Sequence, residues 1–167
     1  MDAPPISVTG LNHSYGKGDL KKQILFDVAV EIRKGEIVIV TGPSGSGKTT
    51  MLTLVGALRS AQEGNVQILG HNLLNAKPST LEKVRRQIGF IFQQHNLLDA
   101  LTIADNVMMS LQLGKGKLSR KAARKRVNQV LEQVGLAEHI DKYPKALSGG
   151  QKQRAGIARA LVTHPAL

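Results

Sequence analysis

One stretch of the sequence, GPSGSGKTT, combines glycines, a lysine and two threonines at a spacing that suits phosphate binding. It fits the pattern G-x-x-x-x-G-K-[ST], between the apolar run EIVIVT and the helix-like KTTMLTLVGAL. Glycines let backbone N–H groups wrap around phosphate oxygens, because a Cβ would block the necessary φ values and close approaches. Lys48 supplies positive charge for the β- and γ-phosphates, and the Thr49 hydroxyl is placed to bind Mg2+. The predicted phosphate-binding residues are Gly42, Pro43, Ser44, Gly45, Ser46, Gly47, Lys48, Thr49 and Thr50.

A second stretch, ALSGGQKQRAGIARAL from Ala146 to Leu161, offers related chemistry. A hydroxyl and two unhindered glycine amides at a helix start form an anion site, whose predicted residues are Ser148, Gly149, Gly150 and Gln151. The alternative for the first stretch is a Gly-rich turn that only packs a helix against a strand. The alternative for the second is a Ser-capped helix without a ligand. The first pattern alone would also fit kinases, GTPases and ATPases, but two phosphate-binding helix starts in one chain favour a two-sided nucleotide sandwich.

Together the two motifs resemble those of ABC ATPases. The resemblance implies ATP and Mg2+ as ligands, and a head-to-tail dimer in which LSGGQ of one subunit closes over the γ-phosphate held by the other. It implies that Tyr15, in LNHSYG, stacks on adenine. Gln93, in GFIFQQHNLL, corresponds to the glutamine that senses Mg2+ and the attacking water, so Gln93 and Lys48 are the predicted catalytic residues, and Thr49 and Gln93 the predicted metal contacts. Gln94 is the weaker candidate for that role.

The elements that position these motifs follow from the apolar spacing. Ile6 to Leu11 and Ile24 to Ile32 alternate and favour an antiparallel pair with one covered face that includes Phe26. EIVIVT (Glu36 to Thr41) and IGFIF (Ile88 to Phe92) are continuous apolar runs, typical of strands buried on both faces of a parallel sheet. NVQIL is a further predicted strand, ended by Gly70.

Three helices are predicted beyond the first motif. Ser79-Thr-Leu-Glu82 is a capping-box pattern that opens a short basic helix. Ser119 caps a helix whose apolar positions, from Ala123 to Val134, have helical spacing, with Gly135 as its end. The last helix runs from about Gly149 to Val162, ended by Thr163-His164-Pro165.

The resemblance covers the whole chain and implies an α/β P-loop NTPase fold. Its parts would be a RecA-like core with an N-terminal antiparallel β subdomain and an inserted α-helical subdomain, lacking the C-terminal part of the core. The expected domain is incomplete: residues 1–93 form the β subdomain and phosphate-binding core, and residues 94–162 the helical subdomain that carries the second motif. Within it, Asn96 to Leu101 resembles the groove that receives a coupling helix from a transmembrane permease subunit.

Composition limits the alternatives. The absence of cysteine excludes disulfides and thiolate metal sites, and the five histidines lack ligand spacing. The net charge of +11 raises nucleic-acid binding as a rival function, in an ABC-type repair or translation factor. Much of that charge lies between Lys115 and Arg126, where a solvated helix face is the ordinary interpretation, and aromatic residues are only 3%. We therefore expect no nucleic-acid partner.

The helical subdomain is too short for the coiled coils of chromosome-maintenance ABC proteins, which favours transport. Leu58 to Gly64 and QQHNLLDALT resemble lipid- and lipoprotein-exporter ATPases, DevA-type glycolipid exporters most closely. With no signal peptide or apolar span in view, the expected place is the cytoplasm, peripheral on the inner face of the plasma membrane.

The resemblance also predicts a segment after Leu167: an apolar strand ending in Asp-Glu, which holds Mg2+ and activates water, and a later histidine. We expect the 167 residues to be a fragment of a longer reading frame that cannot hydrolyse ATP alone. An exposed sheet edge and poor solubility are expected for the same reason.

Overall fold

The computed structural model describes residues 3–113 and 118–167 and divides the chain into two compact units, Met1–Arg85 and Arg86–Leu167. In the first unit, four strands form one antiparallel sheet in the order β2-β1-β3-β4. Its elements are β1 (Ile6–Tyr15), β2 (Lys22–Ile32), α1 (Lys48–Val55), β3 (Asn65–Ile68), β4 (His71–Asn72) and α2 (Pro78–Arg85), with a 3-10 turn at Gly18–Leu20.

The predicted antiparallel pair is confirmed, with Ile6 opposite Ile32 and Tyr15 opposite Lys22. The predicted covered face of β2 is wrong at Phe26, which is 67% exposed, whereas the neighbouring Leu25 is 4% exposed. The register shifts along β1 and β2 explain the change, because an extra residue in one strand moves the side chains beyond it to the other face.

A close approach of two backbones fixes how β3 enters this sheet. Gly64 has φ +89°, and a Cβ on it would lie 2.4 Å from the Gly10 carbonyl oxygen. Only glycine fits there, because both the φ value and the contact exclude a side chain. The predicted strand NVQIL is confirmed as β3, and a tight turn at Leu69-Gly70, both at positive φ, leads into β4.

Two apolar runs do not form the predicted strands. Residues 36–41 and 88–92 belong to no sheet among the described residues. Ile37 is 93% and Ile39 81% exposed, so the prediction that EIVIVT is buried on both faces is wrong. The same holds for IGFIF, where Ile91 is 53% exposed. Apolar content favours burial, but a strand also needs hydrogen-bonding neighbours on its edges.

A parallel pairing nevertheless begins in the second unit. Leu167 N–H donates to the Gln87 carbonyl at 3.3 Å, and Gly89 N–H donates to the Leu167 carbonyl at 2.8 Å. Bonds from one residue to positions 87 and 89 of a neighbouring segment are the slanted pattern of a parallel ladder. The start of IGFIF therefore runs parallel to the last residues of the chain.

The second unit packs three helices around one core: α3 (Ile103–Leu113), α4 (Arg120–Gln133) and α5 (Gly149–Leu161), with 3-10 turns at Ala137–His139 and Pro144–Ala146. The predicted helices at Ser119 and Gly149 are confirmed, and Ser119 accepts a hydrogen bond from Ala122 N–H at 3.2 Å. The core includes Ile103, Val107, Val127, Leu131, Leu136, Ala155, Ala158 and Val162. Among the described residues, every helix is too short or too polar to cross a membrane.

Helix α3 was not predicted, although its start carries a sequence signal. The Thr102 hydroxyl accepts from Asp105 N–H at 3.1 Å and donates to the Asp105 carboxylate at 2.6 Å. The pattern [ST]-x-x-[DE] before an apolar run indicates such a capped start. The short basic helix predicted at Ser79 is confirmed as α2, but it begins at Pro78, so Ser79 lies inside its first turn and does not cap it. Proline suits the first turn, since its missing N–H would have no helical partner there.

The basic cluster covers the outer face of α4 only in part. Lys115 and Lys117 lie outside the described residues, and Arg120, Lys121 and Lys125 are exposed. Arg124 forms an ion pair with Asp141 at 2.8 Å, and the Arg126 guanidinium donates to the Val162 carbonyl. Two of these charges therefore have partners within the unit.

Asn106, which is 1% exposed, anchors the loop before α3. Its Oδ1 accepts from Leu98 N–H at 2.7 Å, and its Nδ2 donates to the carbonyls of Leu98, Leu101 and Thr102 at 3.1, 3.1 and 2.9 Å. A buried amide with both ends bonded fixes the loop that surrounds it.

We expect Asn106→Asp to destabilise the second unit by about 2 to 3 kcal/mol. The carboxylate has no N–H to donate, so an oxygen would face the three carbonyl oxygens that Nδ2 now binds. Chemical denaturation measures the loss. The matched control is Asn128→Asp on the exposed face of α4, where the change should be within about 0.5 kcal/mol. Equal effects at both positions would contradict the anchoring role.

Candidate functional site

The phosphate-binding motif forms a loop in which three glycines adopt positive φ: Gly42 at +144°, Gly45 at +82° and Gly47 at +89°. At Gly47 a Cβ would lie 2.7 Å from Leu25 Cδ2 and 3.2 Å from the Ile24 carbonyl. The loop therefore rests on β2 and depends on glycine. The first turn of α1 follows directly, with Met51 N–H bonded to the Gly47 carbonyl at 2.8 Å.

Lys48 folds back over this loop. Its ammonium donates to the carbonyls of Gly42 at 2.9 Å and Pro43 at 2.6 Å, and to the Ser46 hydroxyl at 3.3 Å. The positive charge thus lies at the mouth of the loop, beside the start of α1. Gly47, the residue that precedes α1, has no side chain to cap the first N–H groups, so the helix start and the ammonium both present positive potential.

Tyr15 lies against the same helix start. Its hydroxyl donates to Thr50 Oγ1 at 3.4 Å, and Thr50 is buried while Thr49 is exposed. The Arg59 guanidinium stands 5.2 Å from the centre of the Tyr15 ring, and the His13 ring meets it edge-on at 5.0 Å. The structure therefore brings Tyr15 to the phosphate-binding motif, although the two are far apart in sequence. Sequence reasoning did not identify Arg59, because only the fold places it over the ring.

The second motif begins α5 with a complete capping box. The Ser148 hydroxyl accepts from Gln151 N–H at 3.3 Å, and the Gln151 side-chain carbonyl accepts from Ser148 N–H at 2.8 Å. The Gln151 amide nitrogen lies 2.9 Å from His139 Nε2, which orients the glutamine from the other side. Gly149 and Gly150 are exposed, and a Cβ on either would meet open space. No side chain of these two residues covers the helix start, so an anion can approach its N–H groups.

Gln93 and Gln94 occupy a tight turn in the second unit. His95 N–H donates to the Phe92 carbonyl at 3.0 Å, which closes the turn around the two glutamines, and both side chains are exposed. The structure thus places Gln93 in a unit with Ser148, and Lys48, Thr49 and Tyr15 in the other.

Comparison with known proteins shows the family of the chain. The family model described as "ABC transporter" matches residues 25–167. The chain belongs to the ABC transporter ATPase family. The lipoprotein-releasing system ATP-binding protein LolD 2 of Rhodospirillum rubrum is 40% identical over 100% of this chain and 72% of its own length. The bacitracin export ATP-binding protein BceA of Halalkalibacterium halodurans is 39% identical over 97% of this chain and 64% of its own.

A solved structure confirms the fold of this ABC ATPase chain. The dimeric ATP-binding cassette MJ0796, in a post-hydrolysis state bound to ADP and Pi, superposes with a TM-score of 0.85 at 37% identity. The match covers 96% of this chain and 70% of that one. The predicted α/β P-loop NTPase class is therefore confirmed, and the chain spans only part of each ABC ATPase relative.

Burial of His13 beside Tyr15 predicts that the stability of this ABC ATPase unit depends on pH. His13 is 4% exposed, and both ring nitrogens are buried without a hydrogen-bond partner among the described residues. Burial lowers the pKa of His13 below its ordinary value of 6.5, and the positive charge of Arg59 lowers it further.

Because the folded state disfavours protonation, the unfolded chain binds more protons as the pH falls below 6.5. The stabilisation is therefore complete above that pH and is lost as the pH falls through the lowered folded pKa. We expect the melting temperature to decrease between about pH 7.5 and pH 5.5, and His13→Leu to flatten this slope. His164→Asn, at an exposed histidine, should leave the slope unchanged. An unaltered slope in His13→Leu would exclude His13 as its source.

Proposed function

We propose that the protein binds and hydrolyses MgATP to power a membrane transporter, and that it acts on the inner face of the plasma membrane through separate permease subunits. One observation carries the nucleotide assignment: the Lys48 ammonium lies over a glycine loop at an uncapped helix start. That combination of charge, open N–H groups and close backbone approach fits a triphosphate. Family membership supports ATP as the nucleotide.

The residues have distinct proposed roles. The loop amides and Lys48 would hold the phosphates, the exposed Thr49 hydroxyl and Gln93 would contact Mg2+, and Tyr15 would stack on adenine. Bound MgATP would supply the γ-phosphoryl group and the metal charge that offsets its negative oxygens. The protein's own contribution is position and electrostatic stabilisation, since phosphoryl transfer needs little covalent chemistry from side chains.

The open helix start at Gly149 and Gly150, beside the Ser148 hydroxyl, supports a second, trans contact. We infer that its N–H groups bind the γ-phosphate held by another copy, which makes the active assembly a head-to-tail dimer. The dimeric state of the MJ0796 cassette supports this arrangement. In this proposal residues 94–162 are the helical subdomain, and Asn96 to Leu101 receives a coupling helix of the permease.

For the cargo we propose a lipid, glycolipid or lipoprotein that is exported. The support is the match over the whole chain to LolD 2, a lipoprotein-releasing ATP-binding protein. BceA is named for bacitracin export, and the methionine import protein MetN of Bifidobacterium longum is 43% identical over 90% of this chain and 37% of its own length. Reconstitution with a co-purifying permease, and assay of lipid release from vesicles, tests the direction and the cargo.

The first test concerns the phosphate loop. In protein from the full reading frame, Lys48→Ala should weaken ATP binding at least about tenfold, because the main positive charge at the loop is lost. Calorimetry measures the change, and circular dichroism should show an unaltered fold. Lys34→Ala, at an exposed turn lysine, is the matched control and should bind ATP normally. Unchanged affinity in Lys48→Ala would sink the phosphate assignment.

The second test separates the trans site from the nucleotide site. Gly149→Asp places a carboxylate at the start of α5, where open space accepts it and the helix dipole favours it, so stability should not fall. ATP binding should persist, whereas ATP-dependent dimerisation, followed by light scattering, should be lost. Gly149→Ala adds a Cβ without charge and serves as the control. Normal dimerisation and hydrolysis by Gly149→Asp would show the trans contact to be wrong.

A further inference from the structure

Helix α5 carries a side chain that bonds to the loop behind the Gln93 turn. Arg159 Nη1 donates to the Asn96 carbonyl at 2.5 Å, and Arg159 Nη2 donates to the His95 carbonyl at 2.7 Å. Because the guanidinium group is planar, two hydrogen bonds from it fix the orientation of both carbonyls as well as their distance. Among the described residues, the Arg159 guanidinium thus bonds to two successive backbone carbonyls.

Those carbonyls belong to a strained piece of backbone. His95 has φ +59° and Asn96 φ +46°, a left-handed conformation that is unfavourable for residues with a Cβ. Asn and His enter this region more readily than most residues, but two in succession still need external support. Asn96 N–H also donates to the Gln94 carbonyl at 2.6 Å, which tightens the exit from the turn.

The environment of Arg159 makes the two bonds important. The residue is half-buried, and burial lowers the pKa of its guanidinium. Arginine nevertheless keeps its charge at neutral pH, so the partly desolvated cation needs acceptors. The carbonyls of His95 and Asn96 are these acceptors. The positive charge of Arg159 in turn stabilises the left-handed backbone at these two residues.

We propose that Arg159 is a positioning residue that fixes the Gln93 turn to the helix that begins with Ser148, so that both motifs move together. The proposal rests on the function proposed for these motifs. Helix α5 is a suitable connection because its hydrogen bonds keep it rigid over the roughly 15 Å between Gly149 and Arg159. If the start of α5 moved when two copies closed over a nucleotide, the movement would be transmitted to Gln93 through Arg159 and its hydrogen bonds.

The test compares Arg159→Met, which removes both donors, with Arg159→Lys, which keeps the charge but not the fork. Arg120→Met, at an exposed position of α4, is the matched control. In protein from the full reading frame, Arg159→Met should lower kcat about tenfold to a hundredfold with little change in ATP affinity, because Gln93 is displaced. Arg159→Lys should recover part of the loss, and Arg120→Met should resemble the unmodified protein.

Two further measurements distinguish positioning from general stability. Amide hydrogen exchange should rise about tenfold in residues 93–97 of Arg159→Met, while the core amides of α4 remain protected. In a Gln93→Ala background, Arg159→Met should cause no further loss of kcat, because both changes remove the same contribution. Additive losses, exchange that rises equally throughout α3 to α5, or unchanged exchange at residues 93–97 would each overturn the proposal.

Failure of the proposed function would appear differently. If the unmodified protein neither bound nor hydrolysed ATP, the transport ATPase assignment would fall, and with it the role of Arg159 in coupling the two motifs. Hydrogen exchange at residues 93–97 would still decide whether Arg159 holds the turn. If ATP binding and hydrolysis were normal and Arg159→Met matched the unmodified protein, only the positioning role would be wrong.

Discussion

Every helix start leaves backbone N–H groups without helical partners, and the placement of function in this protein depends on how each start meets that need. Thr102 and Ser119 cap α3 and α4 with their hydroxyls. Gly47, before α1, has no side chain to offer, and its close contact with β2 leaves no room for one. The start of α1 has no side-chain cap and lies beside the Lys48 ammonium, so an anion can bond to its open N–H groups.

The start of α5 combines both solutions. Ser148 and Gln151 bond to each other's backbone N–H groups, which holds the first turn without an external ligand. Gly149 and Gly150 add no side chains, so the surface of that turn stays open. A capped but uncovered helix start is stable alone and accessible to a partner, which suits the trans contact proposed for it.

In the second unit, a buried and a half-buried side chain bond to backbone carbonyls of two loops. Asn106 bonds to the loop before α3, and Arg159 bonds to the loop after the Gln93 turn. Neither loop has helix or strand structure of its own. The shape of each loop therefore depends on one polar side chain of a helix. A substitution of Asn106 or Arg159 would change a loop that lies elsewhere in the sequence.

The sequence by itself determined the two glycine-rich motifs, the antiparallel pair and the helices α4 and α5, because local spacing and capping residues specify these features. It also contains the Thr102-x-x-Asp105 pattern that indicates the start of α3. Only the tertiary structure decided that Leu25 and not Phe26 faces inward, that Ile37 is exposed, and that Arg159 reaches the turn. Register, burial and long-range hydrogen bonds depend on neighbours that no local pattern contains, since apolar content gives a strand its preference but not its partner.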